Sequence, residues 1–250
     1  MSDKNLWRGL RAEARQALGT RDYAADSLAE RLGHAGVDAG EIISAKPEEL
    51  RGVWIPGVKI FPRTIHSQRH RGLFGEFARQ NEGPLADSKF WPKQWSAACM
   101  FANTAKGFHV HSPFIPKGKD AAKWMEQLFG ECPSAEPDYE REQWDMMFFV
   151  QGRVELILHD VRAGLPARTM RLFIDGDNHR SRNNVGVIVP PGVAHAVRVE
   201  GSEDAIMVYG TSTVFHPEFE GRIGSEIETA ELPASWRRFL DESGEQENRK

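Results

Sequence analysis

The chain has 250 residues, 40% of them hydrophobic, which suits one sizeable domain with or without appendages. Its net charge of -4 gives no reason to expect a nucleic-acid partner. Cys99 and Cys132 are the only cysteines, so we expect neither a disulfide framework nor a thiolate zinc site. No apolar run has transmembrane length and the first residues lack an apolar signal region, so we predict a cytoplasmic protein that does not bind membranes.

Residues 1–53 are predicted to form a helical N-terminal extension. Apolar residues recur at i, i+4 spacing from Leu6 to Leu18, and glycine ends that run. A second short helix is predicted over 23–32, and Pro47 indicates a further helical turn. We expect this extension to pack on a partner surface.

Residues 54–225 have a different character, with short apolar or alternating runs between Gly and Pro residues. The runs include GVKIFPRTI, WSAACMFA, GFHVH, RVELILHD, VGVIV and AHAVRVE. Their density predicts a mainly β, antiparallel sandwich or barrel. One segment, 112–143, interrupts the pattern and contains a predicted helix over 119–130. The polar tail, 226–250, is predicted to fray.

Three histidines stand on the predicted strands. In GFHVH, His109 and His111 are two residues apart and should project from the same side of a strand. His195 follows a tight turn in VPPGVAHAV, where Pro presets φ and Gly192 accepts a positive φ. A single histidine in such a place is usually a hydrogen-bonded core ring. Three of them favour a functional site.

The stretch RGLFGEF carries a second signal. Strand alternation puts Phe74 and Glu76 on one face, so a carboxylate shares its face with an aromatic ring. That pairing is expected where a ligand binds. The other interpretation is an edge strand with a solvated glutamate.

Five motifs in this order resemble the cupin superfamily, and within it the dTDP-4-dehydrorhamnose 3,5-epimerase family, over residues 54–223. The residues that match are Arg71, Gly72, Phe74, Glu76 and Phe77; Gln94 followed by KGFH; Gly152, Val154, Asp160, Arg162 and Gly164; Pro190, Gly192, Ala194 and His195; and Tyr209, Phe215, Pro217 and Glu220.

The resemblance implies a cupin jelly-roll barrel and an epimerase or isomerase without a cofactor, acting on a nucleotide-linked 4-keto-deoxy sugar. In the family pattern, His109 falls on the base that removes a proton next to the keto group. Tyr209 falls on the acid that returns a proton from the opposite face. This chemistry is coherent for an imidazole and a phenol on either side of an acidified C–H bond.

Further residues are implied in substrate binding, and the family implies a homodimer formed by exchange of strands near the N-terminus. The implied binding residues are Arg71, Phe74, Glu76, Gln94, His195 and Phe215. Phe215 would keep an aromatic face for stacking on the nucleotide base.

The chain departs from the family pattern at Asp145, where the family has a lysine that stabilises an enolate. A carboxylate there opposes an enolate. Asp145 therefore either points away from the pocket or faces a cation, which could be Lys106 or a metal ion. The carboxylate that orients the base in the family has no match in the C-terminal sequence. The long segment 112–143 is predicted to lie over the barrel mouth.

Two other hypotheses stay open. In the first, a metal-dependent cupin binds one divalent ion, such as Fe, Mn, Ni or Zn, through His109, His111, His195 and Asp145. In that case His109 is a ligand and not a free base. In the second, the chain binds a sugar nucleotide without catalysis, because the family's lysine and base-orienting carboxylate are missing.

Overall fold

The computed structural model describes residues 7–11, 36–50, 52–86 and 89–223. The predicted helix over 23–32, the tail at 226–250 and most of the first predicted helix lie outside the described residues. Residues 7–11 form a turn, and Leu10 makes an antiparallel bridge to Arg162. No helix in the described part of the chain is both long and apolar enough to cross a membrane.

The described residues contain thirteen strands and three α-helices. In chain order they are β1 Val37–Asp38, α1 Ala39–Ser44, α2 Pro47–Leu50, β2 Lys59–Pro62, β3 Ile65–Ser67, β4 Leu73–Gly75, β5 Gln94–Met100, β6 Ala105–His111, α3 Ala121–Phe129, β7 Asp145–Gln151, β8 Arg153–Asp160, β9 Thr169–Asp175, β10 Val185–Val189, β11 Val193–Glu200, β12 Ala205–Thr211 and β13 Glu220–Arg222.

The strands form a jelly roll, so the predicted fold class is confirmed. One sheet has the order β1-β9-β8-β11-β6-β13 and the other β2-β10-β7-β12-β5. All of the pairings within both sheets are antiparallel except the parallel pair β1–β9. Consecutive strands from β5 to β12 mostly alternate between the sheets, which gives the two interleaved four-stranded halves of a jelly roll. The main apolar core fills the space between the sheets.

The inserted helix α3 packs on the outside of the second sheet. Its buried residues, Met125, Leu128 and Phe129, join one apolar cluster with Met146 and Phe148 of β7. Those two positions point away from the sheet interior, because Met147 and Phe149 face the main core. The prediction that the insertion lies over the barrel mouth is therefore wrong for this helix. Its outer packing explains why β7 is a continuous apolar run.

One buried carboxylate ties the two ends of the insertion together. Glu142 Oε2 accepts a hydrogen bond of 3.1 Å from the backbone N–H of Phe114. Its Oε1 accepts one of 3.3 Å from Trp144 Nε1, and the Ser212 hydroxyl donates to its carbonyl oxygen. Burial raises the pKa of Glu142 to about 7. The ends of the insertion are thus fixed beside the first residues of β7.

Candidate active site

A cavity of about 610 Å³ opens between the sheets, around β5, β6 and β12. The polar and aromatic groups in its wall include Phe101, Thr104, Lys106, His109, His111, Gln143, Asp145, His195, Tyr209, Phe215, Glu220 and Arg222. All of the predicted catalytic and metal-binding residues therefore line one cavity. A mostly apolar cavity with a few convergent polar groups is the usual form of a small-molecule site.

A bulge in β6 brings Lys106 into this wall. Along β11 the partners step from His195 to Val197, while along β6 they step from His109 to Lys106. The extra residue in β6 restores Lys106 to the side from which His109 projects. Gly107 fits the bulge because its φ is +129°, and a Cβ there would lie 2.6 Å from Ala196.

Three buried residues converge at the inner end of the cavity. Asp145 Oδ2 lies 3.0 Å from His111 Nε2 and 3.5 Å from His195 Nε2. Gln143 Nε2 donates to Asp145 Oδ1 at 2.9 Å and lies 3.2 Å from His111 Nε2. Asp145 therefore points into the pocket, where its carboxylate contacts the imidazoles of His111 and His195.

The charges of these groups are coupled. Burial alone lowers the pKa of His111, but the charge and hydrogen bond of Asp145, together with Glu220, raise it overall. Burial opposes the Asp145 carboxylate, yet His111 and His195 lower its pKa to about 2. Burial, with the neighbouring histidines, lowers the pKa of His195 to about 4. At neutral pH the site therefore holds an Asp145 carboxylate and a neutral His195, and the charge of Asp145 favours the protonated form of His111.

His109 has a different carboxylate partner. Glu220 Oε2 lies 3.7 Å from His109 Nδ1, and Glu220 Oε1 lies 3.5 Å from His111 Nδ1. Both contacts follow from the pairing of β13 with β6, which sets Glu220 opposite His111 and Arg222 opposite His109. The nearby His109 ring lowers the pKa of Glu220 below its usual value, so its carboxylate is ionised at neutral pH. The sequence motifs included Glu220, but they predicted no role for it.

The opposite wall carries Tyr209 and Phe215. Tyr209 is on β12 of the second sheet, whereas His109 is on β6 of the first, so a ligand in the cavity would lie between them. Phe215 is 57% exposed, and its backbone N–H donates a 2.9 Å hydrogen bond to Gln94 Oε1. Gln94 thus positions the loop of Phe215 and is not part of the cavity wall.

Three predicted binding residues lie outside the cavity of their own chain. Arg71, Phe74 and Glu76 belong to the exposed β3–β4 region, and none of them is in the described cavity wall. Phe74 stacks on His66 with ring centroids 6.2 Å apart, and Glu76 pairs with Arg79. Within one chain, the surroundings of these residues fit the alternative interpretation, an edge strand with a solvated glutamate. Their role in substrate binding stays a prediction.

The potential metal ligands also differ from the predicted set. Among the described residues, His111, Asp145 and His195 each offer a ligand atom, and these atoms all lie within 4.8 Å of one another. His109 is outside this group. Its ring centroid is 6.0 Å from that of His195. Of the predicted set of His109, His111, His195 and Asp145, this group contains all but His109, and the predicted roles of His109 stay predictions.

Comparison with known proteins gives a similar protein sequence and similar solved structures. No family model matches the chain. The spore coat polysaccharide biosynthesis protein SpsL of Bacillus subtilis is 25% identical over 165 residues, which are 66% of this chain and 84% of that protein. Among solved structures, a dTDP-6-deoxy-D-glucose-3,5-epimerase from Legionella pneumophila is 19% identical with a TM-score of 0.47, covering 65% of this chain and 70% of its own.

A second similar structure is ChmJ, a 3'-monoepimerase from Streptomyces bikiniensis in complex with dTDP-quinovose. It is 21% identical with a TM-score of 0.48, and the match covers 71% of this chain and 76% of that one. These proteins include members of the epimerase family whose ordered motifs the sequence resembles.

Proposed function

We propose that this protein is an epimerase or isomerase that moves a proton next to the keto group of a nucleotide-linked 4-keto-deoxy sugar. One observation carries the proposal: the imidazole of His109 and the phenol of Tyr209 enter one cavity from opposite sheets. Inversion of a carbon centre needs a proton acceptor on one face and a proton donor on the other. The ordered motifs predict these same two roles.

The reaction follows from these positions. His109 takes the proton from the carbon next to the keto group, and the electron pair of that C–H bond forms an enolate. Glu220, 3.7 Å from His109 Nδ1, orients the ring and stabilises the imidazolium. Tyr209 then returns a proton to the carbon from the other face. The side chains of this chain supply both proton transfers.

The two residues whose absence supported a non-catalytic binding module have replacements in the cavity. The C-terminal sequence has no match to the family's base-orienting carboxylate. Glu220 lies beside His109 and can take that role. Asp145 stands where the family pattern has a lysine; its carboxylate contacts the His111 ring at 3.0 Å, and Lys106 lies in the wall of the same cavity. These replacements favour an enzyme over a binding module.

The substrate class rests on the motifs and on the relative SpsL, which is named for polysaccharide biosynthesis. Phe215 offers an exposed ring at the cavity for stacking on a base. We propose a homodimer in which the exposed segment of Arg71, Phe74 and Glu76 reaches the cavity of the other chain. The cytoplasmic location, like the absence of a nucleic-acid partner, stays a prediction from the sequence.

Exchange of substrate hydrogen with solvent deuterium tests the function. With a dTDP-linked 4-keto-6-deoxy sugar in D₂O, the wild type is expected to incorporate deuterium next to the keto group. His109→Ala should slow this by two to four powers of ten, the usual contribution of a general base. Glu126→Gln, on the exposed side of α3, is the matched control. Wild-type exchange in His109→Ala would show that His109 is not the base.

A further inference from the structure

We infer that His111, Asp145 and His195 form a binding site for one divalent first-row transition-metal ion, next to the base and separate from it. The three side chains come from β6, β7 and β11 and are each less than 10% exposed. Two imidazoles and one carboxylate are a donor set that suits Zn, Fe, Co and Ni.

The distances fit such an ion. Ligand atoms held about 2.0–2.2 Å from a metal lie roughly 3.0–3.5 Å from one another. Asp145 Oδ2 is 3.0 Å from His111 Nε2 and 3.5 Å from His195 Nε2. The ligand atoms of all three residues lie within 4.8 Å of one another. The site therefore needs only a small inward movement of the rings to surround an ion.

The orientation of His195 also suits a ligand. Its Nδ1 donates a 3.2 Å hydrogen bond to the carbonyl oxygen of Val193, which turns Nε2 toward Asp145. That nitrogen lies 3.5 Å from Asp145 Oδ2 in a buried place. A histidine held by a backbone carbonyl at one nitrogen is the usual arrangement of a metal ligand.

The surroundings of His111 support the same ligand role. Its Nδ1 is 3.5 Å from Glu220 Oε1, which places a carboxylate behind the ring as in many metal sites. Gln143 Nε2 lies 3.2 Å from His111 Nε2 and donates a 2.9 Å hydrogen bond to Asp145 Oδ1, so the amide helps to hold the carboxylate in place.

The ion would supply the cation that Asp145 removes from the family pattern. The resemblance aligns Asp145 with a lysine of the family, and a metal held there would carry positive charge toward the cavity in which the proposed enolate forms. This role rests on the proposed function, whereas binding of the ion does not. His109 stays outside the ligand set, so proton removal and charge stabilisation can operate together.

Cobalt titration tests the inference directly. The protein is prepared without a histidine tag, nickel resin or residual chelator, and Co(II) is added while the visible d–d absorption is recorded. We expect saturation at one ion per chain. His111→Ala, Asp145→Asn and His195→Gln are each expected to weaken binding at least 100-fold, and His109→Ala less than threefold. Circular dichroism checks each variant, and the conclusion uses those that fold as the wild type does.

Two outcomes would overturn the site. One is no saturable absorption with Co(II) up to about 1 mM, and the other is unchanged affinity in the folded variants, which places the ion on other histidines. Failure of the proposed function is recognised separately. Cobalt binding without deuterium exchange in any keto sugar refutes the function and leaves the site standing. Deuterium exchange by a wild type that binds no Co(II) refutes the metal site and leaves the proposed function standing.

Discussion

Replacement of Glu220 by glutamine tests how the carboxylate supports the base. The substitution keeps the size of the side chain and removes its charge beside His109 Nδ1, 3.7 Å away. Unit charges at that distance interact by about 4 kcal/mol at an effective dielectric constant of 20 and by about 1 kcal/mol in bulk water. Because the two side chains are 28% and 25% exposed, the value falls between these limits.

A loss of about 2 kcal/mol corresponds to a fall in kcat of roughly 30-fold. The loss should appear in kcat, because the carboxylate stabilises the imidazolium only as the proton is transferred. Glu126→Gln is again the control, and deuterium exchange is the assay. A fall in kcat of less than threefold would refute the positioning role of Glu220.

Three further predictions concern the other wall, the insertion and the bulge. Tyr209→Phe should incorporate deuterium with retention of configuration, and inversion at the normal rate would exclude the two-face assignment. Because the pKa of Glu142 is raised to about 7 from 4.5, its stabilising effect is present at acid pH and is lost as pH rises through 7. We therefore expect urea unfolding at pH 5 and pH 8 to show that the free energy of unfolding of Glu142→Gln rises relative to that of the wild type by about 3 kcal/mol between the two pH values. A difference in unfolding free energy that does not change with pH would contradict this. Gly107→Ala should cost more than 2 kcal/mol in unfolding free energy and Gly118→Ala about 1, since both have positive φ but only Gly107 lacks space; equal losses would contradict this.

Most of the barrel could be predicted from the sequence because its strands carry their own signals. Alternating or continuous apolar runs between Gly and Pro residues indicated β2 and β5 to β12. The strand β13 was missed because EGR has no apolar pattern and is extended only through its pairing with β6. The contact of Glu220 with His109 depends on that pairing, so it could not be predicted either.

The position of α3 shows a second limit. Its amphipathic pattern predicted the helix but not the surface on which it packs. The continuous apolar run of β7 was a usable signal, because Met146 and Phe148 face outward and need a cover. The site residues on β6 and β11 were predictable by period two, whereas Lys106 reaches the cavity only through a bulge that alternation cannot reveal.

The hydrogen bond between Phe114 and Glu142 has a consequence for the length of the insertion. The two residues are 28 positions apart in the chain, so the insertion leaves the barrel and returns to it at nearly the same point. Its length is therefore uncoupled from the spacing of His111 and Asp145, which are held by their own strands. The parts of the insertion outside the helix that covers Met146 and Phe148 can therefore change in length while the wall of the cavity keeps its shape.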